Sequence, residues 1–117
     1  MNVLGVDVCK KELACFSDGR SFAALNTKAG IVRLLKGLEP STAVAMESTG
    51  QYHLPLADAA HGAGFEVYVL NPKDVKRYRD AVAARGKTDP LDAEVIARFV
   101  DKEHAELRAY VPAPASL

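Results

Sequence analysis

The chain opens with a nearly continuous apolar run, Val3-Leu4-Gly5-Val6-Asp7-Val8, which is interrupted by a single acid. Such a run is typical of a strand at the centre of a sheet that is covered on both faces. A carboxylate inside a buried strand is costly unless it is paired or binds a metal. Asp7 therefore indicates either a functional acid or a strand end that reaches solvent.

Length and composition indicate one globular domain. The chain has 117 residues, 49% of them hydrophobic, which allows a real core. Its 15 basic and 15 acidic side chains cancel, so the net charge says nothing about partners. The sequence has no apolar run long enough to span a membrane and no signal peptide, and its two cysteines suit a reducing compartment. We therefore expect a cytoplasmic protein without a membrane partner.

Apolar runs and turn residues predict the element order βββαβαβαα. Three closely spaced strands, over 2–9, 13–16 and 21–25, predict an antiparallel meander. The predicted elements that follow are a helix capped by Thr27, a strand over 42–46, a helix over 51–63, a strand over 65–70, a helix from Pro72 and a last helix from Asp89. This order is the layout of a ribonuclease-H-like α/β domain, with a mixed sheet and helices on both faces.

The same pattern predicts where the domain ends. Residues 2–103 form the predicted domain. From His104 onward the chain becomes rich in proline and alanine, so residues 104–117 are predicted to be a tail or linker towards an absent C-terminal region.

Three further acids accompany Asp7. Glu47 ends the run Thr42-Ala43-Val44-Ala45-Met46-Glu47, and Asp89 and Asp92 lie in Lys87-Thr88-Asp89-Pro90-Leu91-Asp92-Ala93. Since active edges of open α/β sheets lie at the carboxyl ends of strands, we expect Asp7 and Glu47 to be neighbours. Hard cations such as Mg²⁺ take oxygen ligands, so the four acids predict one cation site built from distant segments.

Each of these later acids also has a plain structural explanation. Glu47 could mark the point where its strand leaves the core. Asp89 as N-cap, Pro90 at the first helical position and Asp92 at the third would form an ordinary helix start. In the functional interpretation, the same spacing places Asp89 and Asp92 on one helical face. The metal site is favoured because Asp7 and Glu47 occupy the right topological places.

A basic segment precedes the last two acids. Between residues 73 and 87 the chain has six basic side chains and two acidic ones. This segment is predicted to contact a nucleic-acid backbone through Lys73, Lys76, Arg77, Arg79, Arg85 and Lys87. The alternative is a solvated helix face. Nearby, His53 and His61 are interpreted as helix-surface histidines, and Tyr52 either stacks on a base or belongs to the core.

Several motifs together resemble a known family. The segments are Gly5-Val6-Asp7-Val8 followed by Lys11, Met46-Glu47-Ser48-Thr49-Gly50, Asn71-Pro72 and Lys87-Thr88-Asp89-Pro90-Leu91-Asp92-Ala93. They resemble the N-terminal domain of the DEDD transposases of the insertion sequence 110 group, which are related to the Piv/MooV DNA invertases. The resemblance covers residues 2–111. It implies a RuvC-like fold whose catalytic, metal-binding tetrad is Asp7, Glu47, Asp89 and Asp92, with Mg²⁺ or Mn²⁺ as cofactor.

The resemblance also implies a biological context. Family members cleave and rejoin DNA during transposition, guided by an element-encoded RNA, and the full-length enzymes are expected to be homo-oligomers. They act in the cytoplasm of bacteria or archaea, where they associate with the nucleoid. They continue through a helical, coiled-coil segment into a C-terminal domain with a serine nucleophile. We expect that domain to be missing here, and Ser116 is not equated with its serine.

Two other classes remain open. A truncated, non-catalytic nucleic-acid-binding or dimerisation module would keep its binding after loss of the acids and would depend on the basic segment. An actin-like or sugar-kinase lobe has a similar element order. That class needs a phosphate-binding hairpin rich in Gly, Ser or Thr, where this chain has Cys9-Lys10-Lys11, and it needs a second lobe.

Overall fold

A computed structural model of the chain describes residues 1–85 and 91–114. The strands in this part are β1 (Val3–Val8), β2 (Glu12–Ser17), β3 (Arg20–Leu25), β4 (Ala43–Glu47) and β5 (Glu66–Leu70). They form a single sheet in the order β3-β2-β1-β4-β5. β1, β2 and β3 pair antiparallel, whereas β4 pairs in parallel with both β1 and β5. The predicted meander and mixed sheet are confirmed.

The helices in the described residues are α1 (Lys28–Lys36), α2 (Leu54–Gly62), α3 (Pro72–Ala83) and α4 (Asp92–Glu103), followed by a 3₁₀ turn over His104–Glu106. The predicted cap of α1 is confirmed, because Thr27 Oγ1 accepts a hydrogen bond of 3.0 Å from the Gly30 amide. Asn71 caps α3 in the same way, with its side-chain oxygen 2.8 Å from the Lys73 amide nitrogen. Local sequence therefore determines both starts.

Two predicted helix starts are wrong. α2 begins at Leu54 rather than Gln51, because Gly50 has a φ of 55° and residues 50–53 form a turn. α4 begins at Asp92, since Leu91 is extended with a ψ of 150°. Asp92 is therefore the first residue of the helix and not its third. The predicted N-cap, Asp89, lies outside the described residues.

Alternating side chains on each strand divide the core into two layers. Leu4 and Val6 of β1 and Met46 of β4 face one side of the sheet, where α1 and α2 cover them. Val3 of β1 and Ala45 of β4 face the other side, where α3 and α4 cover them. Helices on both faces are confirmed, and the sequence run that opens the chain is the central strand.

α4 packs unusually close to β1 at Gly5. A Cβ atom at position 5 would lie 2.1 Å from the Ala93 carbonyl oxygen and 2.8 Å from the Ala97 amide nitrogen. Glycine at position 5 and alanines at 93 and 97 therefore let the helix backbone approach the strand. This contact places the first turn of α4, which carries Asp92, beside the strand that carries Asp7.

The chain after Glu103 packs against the domain as far as Tyr110, so this part is not frayed. Leu107 contacts the core under α3 and α4. The Tyr110 amide donates a hydrogen bond of 2.7 Å to the Val67 carbonyl on the edge strand β5, and its hydroxyl donates one of 2.6 Å to Asp58. The domain boundary at residue 103 stays a prediction. Within residues 1–85 and 91–114, no helix has the length and apolar character needed to cross a membrane.

Candidate acidic site

Asp7 and Glu47 lie side by side on adjacent parallel strands. The register pairs Val6 with Met46, so the following residues, Asp7 and Glu47, are neighbours at the carboxyl ends of β1 and β4. Both side chains point to the face covered by α3 and α4, because the alternate residues Val6 and Met46 belong to the opposite layer. Both acids are half-buried. The predicted proximity of these two acids follows directly from the observed sheet.

Two helices complete this charged cluster. Asp92 lies at the start of α4, and Arg79 of α3 forms an ion pair with its Oδ1 atom. Asp92 is also favourably placed at the helix N-terminus, where the macrodipole stabilises negative charge. Asp7, Glu47, Asp92 and Arg79 therefore form one group, which we call the acidic site.

The pKa of Asp7 depends on other charged residues of the acidic site. Burial raises the pKa of the Asp7 carboxyl above its usual range, and the nearby Asp92 carboxylate raises it further. The Arg79 guanidinium lowers the pKa but does not cancel these effects. Ionised Asp7 is therefore only partly compensated in this site.

Glu47 behaves in the same way. Burial is the main cause that raises the pKa of the Glu47 carboxyl, and Arg79 opposes it. Asp7 and Asp92 both raise this pKa by repulsion. The pKa of Glu47 thus responds to Asp7, Asp92 and Arg79, and that of Asp7 responds to Asp92 and Arg79. The cluster is electrostatically coupled, and its three acids outnumber its one arginine.

Arg79 is the member that sequence reasoning assigned differently. It was predicted to contact a nucleic-acid backbone, yet it lies in the acidic site with its side chain 33% exposed. Its Nε atom is buried and has no hydrogen-bond partner among the residues that the structure describes. Position 79 follows the inward-facing Val75 by four residues, and this spacing was the available signal for an inward-leaning side chain.

The remaining basic residues of α3 lie on its outer face. Lys76 pairs with Asp80 at 2.9 Å and Arg77 with Asp74 at 3.8 Å, so these acids partly neutralise the basic segment. Lys73 and Arg85 are exposed. Lys87 lies outside the described residues, as does Asp89, and their predicted roles stay predictions.

Two loops at the carboxyl ends of β1 and β4 border the acidic site. The Asn26 side chain donates hydrogen bonds to the carbonyls of Cys9 at 2.9 Å and Tyr52 at 3.1 Å, which ties these loops together. Tyr52 itself is 47% exposed, so the core interpretation of its ring is wrong and a surface role stays open. Sequence reasoning missed Asn26, because its two partners are far away in the chain.

His53 lies buried in the loop that follows β4 and forms a hydrogen bond within it. It is only 6% exposed, so its interpretation as a helix-surface histidine is wrong, whereas His61 is exposed as expected. The Thr49 amide donates a hydrogen bond of 3.2 Å to His53 Nδ1, which must therefore be unprotonated. Burial is the main cause that lowers the pKa of His53.

The acidic site has carboxylate donors but is not a preformed metal cage. Among residues 1–85 and 91–114, no three His, Cys, Asp or Glu side chains lie close enough together to hold a metal ion. The nearest cation to the strand acids in this cluster is the Arg79 guanidinium, which affects both of them. The carboxylates are thus grouped but not converged on one point.

The sequence of this chain is similar to a protein family and to two named proteins. A family model described as a transposase, DEDD type of the insertion sequence 110 group, matches residues 4–117. The pilin gene-inverting proteins of Moraxella lacunata and Moraxella bovis are each 27% identical over 114 residues, covering 89% of this chain. That match covers 35% of each relative, so the chain spans about a third of their length.

Solved structures match the fold. Thermus thermophilus RuvC in complex with a Holliday junction substrate has a TM-score of 0.65 and 20% identity, covering 93% of this chain and 98% of that one. A second structure of the same RuvC has a TM-score of 0.58 with the same coverage. At this identity the likeness establishes a RuvC-like, ribonuclease-H-like fold. With the family match over residues 4–117, this means that the chain belongs to the DEDD transposase family of the insertion sequence 110 group.

Proposed function

We propose that this chain is the N-terminal, metal-binding catalytic domain of a DNA transposase or site-specific recombinase. The observation that carries the proposal is the grouping of Asp7, Glu47 and Asp92, from two strands and a helix, at one edge of the sheet. Asp89, three residues before Asp92 in the sequence, is the proposed fourth acid. The transposase family and the RuvC-like fold support this assignment.

The proposed cofactor is Mg²⁺ or Mn²⁺, held by Asp7, Glu47, Asp89 and Asp92. Carboxylate oxygens are the donors that hard cations prefer. The raised pKa values of Asp7 and Glu47 support the fit, since a cation would relieve the repulsion that raises them. Arg79 already serves as a stand-in positive charge at the same acids.

Divalent cations in such sites polarise a phosphate, stabilise developing charge and generate a nucleophile from water. The chain's own residues supply the frame for this chemistry. The β1–β4 register fixes Asp7 beside Glu47, and the close contact at Gly5 fixes α4, and hence Asp92, against β1. Asn26 holds the two bordering loops in place, which limits the paths by which substrate reaches the acids.

The proposed substrate is DNA. The RuvC structure that this fold matches was solved with a Holliday junction substrate, and the similarity to gene-inverting proteins supports the same class of substrate. Guidance by an element-encoded RNA, a serine-bearing C-terminal domain and a homo-oligomeric full-length enzyme complete the proposal. Lys73, Lys76, Arg77, Arg85 and Lys87 are the proposed contacts to nucleic-acid backbone.

Metal-dependent DNA binding tests this proposal. Fluorescence anisotropy would compare a four-way junction and a linear duplex, in Mg²⁺ or Mn²⁺ and in EDTA at constant ionic strength. We expect divalent metal to strengthen binding by the wild-type chain, because it offsets repulsion between phosphates and the acidic site. Asp7→Asn and Glu47→Gln should lose most of this metal response.

The same assay also tests the alternative that the chain is a non-catalytic nucleic-acid-binding module. Lys76→Gln and Arg77→Gln, on the outer face of α3, should weaken binding with or without metal. A non-catalytic binding module would instead bind equally well in EDTA, and its affinity would survive both acid substitutions. That result would reject the catalytic-domain proposal while leaving the RuvC-like fold intact.

A further inference from the structure

Arg79 has a position that the proposed backbone contact does not explain. On the outer face of α3, Lys76 and Arg77 pair with acids of their own helix. Arg79 instead reaches across to α4 and pairs with Asp92. The arginine therefore links the two helices that cover the acid-bearing face of the sheet.

The charge balance of the acidic site makes this link significant. Arg79 is close enough to both strand acids to lower their pKa values, so one guanidinium serves Asp7, Glu47 and Asp92 together. A divalent cation bound by the same carboxylates would be strongly repelled by a guanidinium in this position. These acids therefore cannot bind the guanidinium and a divalent cation at the same time unless the side chains rearrange.

The Arg79 ion pair is also incompletely satisfied. Its Nε atom is buried but has no hydrogen-bond partner within the described part of the chain, and a third of its side chain is exposed. A buried donor without a partner costs stability, which lowers the free-energy difference between this rotamer and one that points to solvent. A side chain as long as arginine can leave the site without movement of α3.

We propose that Arg79 is a resident cation of the acidic site that competes with divalent metal and must leave Asp92 when metal binds. This inference rests on the proposed metal-binding function. Arg79 is a positioning residue here, because in the metal-free protein it holds the acids of β1, β4 and α4 together. Metal must displace the Arg79 guanidinium in order to bind, and the free energy of this displacement makes the metal affinity lower than it would be for the acids alone.

The test is isothermal titration calorimetry of Mn²⁺ into wild type, Arg79→Gln, Arg79→Lys and Arg33→Gln, with melting temperatures of the metal-free proteins. We expect Arg79→Gln to bind Mn²⁺ on the order of tenfold more tightly than wild type, within the usual range of coupling between sites. Its metal-free melting temperature should be lower, because the acids lose their cation. Arg79→Lys, which keeps the charge, should lie between the two.

Arg33→Gln is the matched control, since Arg33 is an exposed arginine of α1, which covers the opposite face of the sheet. It should bind Mn²⁺ as wild type does. Equal or weaker Mn²⁺ binding by Arg79→Gln would overturn the competition while leaving the metal site in place. An absence of Mn²⁺ binding by every variant, with all of them folded by circular dichroism, would instead refute the metal site itself.

Discussion

At the scale of single residues, the molecule keeps acids in a place that is unfavourable for them. Asp7 and Glu47 have raised pKa values because burial and mutual repulsion outweigh the help from Arg79. A group whose pKa is higher in the folded than in the unfolded chain destabilises the fold once it ionises. Such local destabilisation is common where a site is built for a ligand rather than for stability.

Asp7→Asn should therefore stabilise the metal-free protein at neutral pH. The unfolded Asp pKa is about 3.9, and the folded value lies above it. The stabilising effect of the protonated Asp7 is complete below the unfolded pKa and is lost as pH rises through the folded pKa. Urea unfolding at about pH 3 and at pH 7 should show that Asp7→Asn gains stability over wild type only at the higher pH.

Asp18→Asn provides the control for this comparison. Asp18 lies in the exposed β2–β3 turn, at the end of the sheet opposite the acidic site, and asparagine tolerates its φ of 52°. This variant measures the effect of an Asp-to-Asn change at an exposed position outside the acidic site. If Asp7→Asn were destabilising at pH 7, the carboxylate would be better compensated than the site's burial and charges indicate.

His53 provides a second prediction from a single residue. Its pKa is lowered mainly by burial, so the neutral form stabilises the fold, and that contribution is complete above the unfolded pKa of about 6.5. It is lost as pH falls through the folded pKa. NMR titration of the imidazole signals should show His53 protonating below about pH 6.5. Protonation of His53 at or above that pH would contradict its burial and its bond from Thr49.

At the scale of elements, the contact between α4 and β1 sets the geometry of the site. The first turn of α4 reaches Asp7 because Gly5, Ala93 and Ala97 leave no side chains larger than a methyl between helix and strand. Packing this close cannot absorb an extra methyl group without moving the helix. The site thus depends on a position that contributes no functional group.

Gly5→Ala should lower the stability of the fold by about 1–3 kcal/mol, the usual range for overpacking. The new Cβ would lie 2.1 Å from the Ala93 carbonyl oxygen, so α4 must shift away from β1. Urea denaturation measures the loss. Gly62→Ala is the control. Apart from the adjacent residues and the backbone of its own helix, no atom of the described chain would lie within 4 Å of the new Cβ, so the change should be neutral or slightly stabilising. Equal stability of Gly5→Ala and wild type would show that the helix does not hold this position.

How far the sequence predicted these features depends on the range of the interactions. Thr27 acts locally and correctly predicted the first helix, and the nearly continuous apolar run of β1 correctly predicted a central strand covered on both faces. The expected proximity of Asp7 and Glu47 came from the rule that active edges lie at the carboxyl ends of strands, and the register of β1 and β4 agrees with it. The position of Arg79 depends on its contact with Asp92, thirteen residues away in the sequence, and local sequence patterns do not report such a contact. The burial of His53 was not predicted for a related reason, since it depends on packing against segments outside its own turn.

At the scale of the whole molecule, the segment after α4 belongs to the packed structure. Tyr110 bonds to the backbone of edge strand β5 and to Asp58 of α2, and Leu107 contacts the second core layer. The bond to Asp58 is the main cause that raises the pKa of the Tyr110 phenol to about 12. This segment covers part of a sheet edge that would otherwise be open to pairing.

A chain that ends at Glu103 should therefore be less stable than one that ends at Val111. Tyr110→Phe in the complete chain should account for part of that difference, about 1 kcal/mol for one hydrogen bond. Both effects can be measured by urea unfolding. Identical stability of the two chain lengths would place the domain boundary at residue 103, as the sequence predicts.

The central claim is that acids from β1, β4 and α4 form one cation site. The measurement that tests it most directly is the melting temperature of the 117-residue chain with and without Mn²⁺, for wild type, Asp7→Asn, Glu47→Gln and Asp92→Asn. We predict that Mn²⁺ raises the wild-type melting temperature and that each substitution removes most of this shift. A wild-type protein that does not respond, or variants that respond as wild type does, would contradict a shared site.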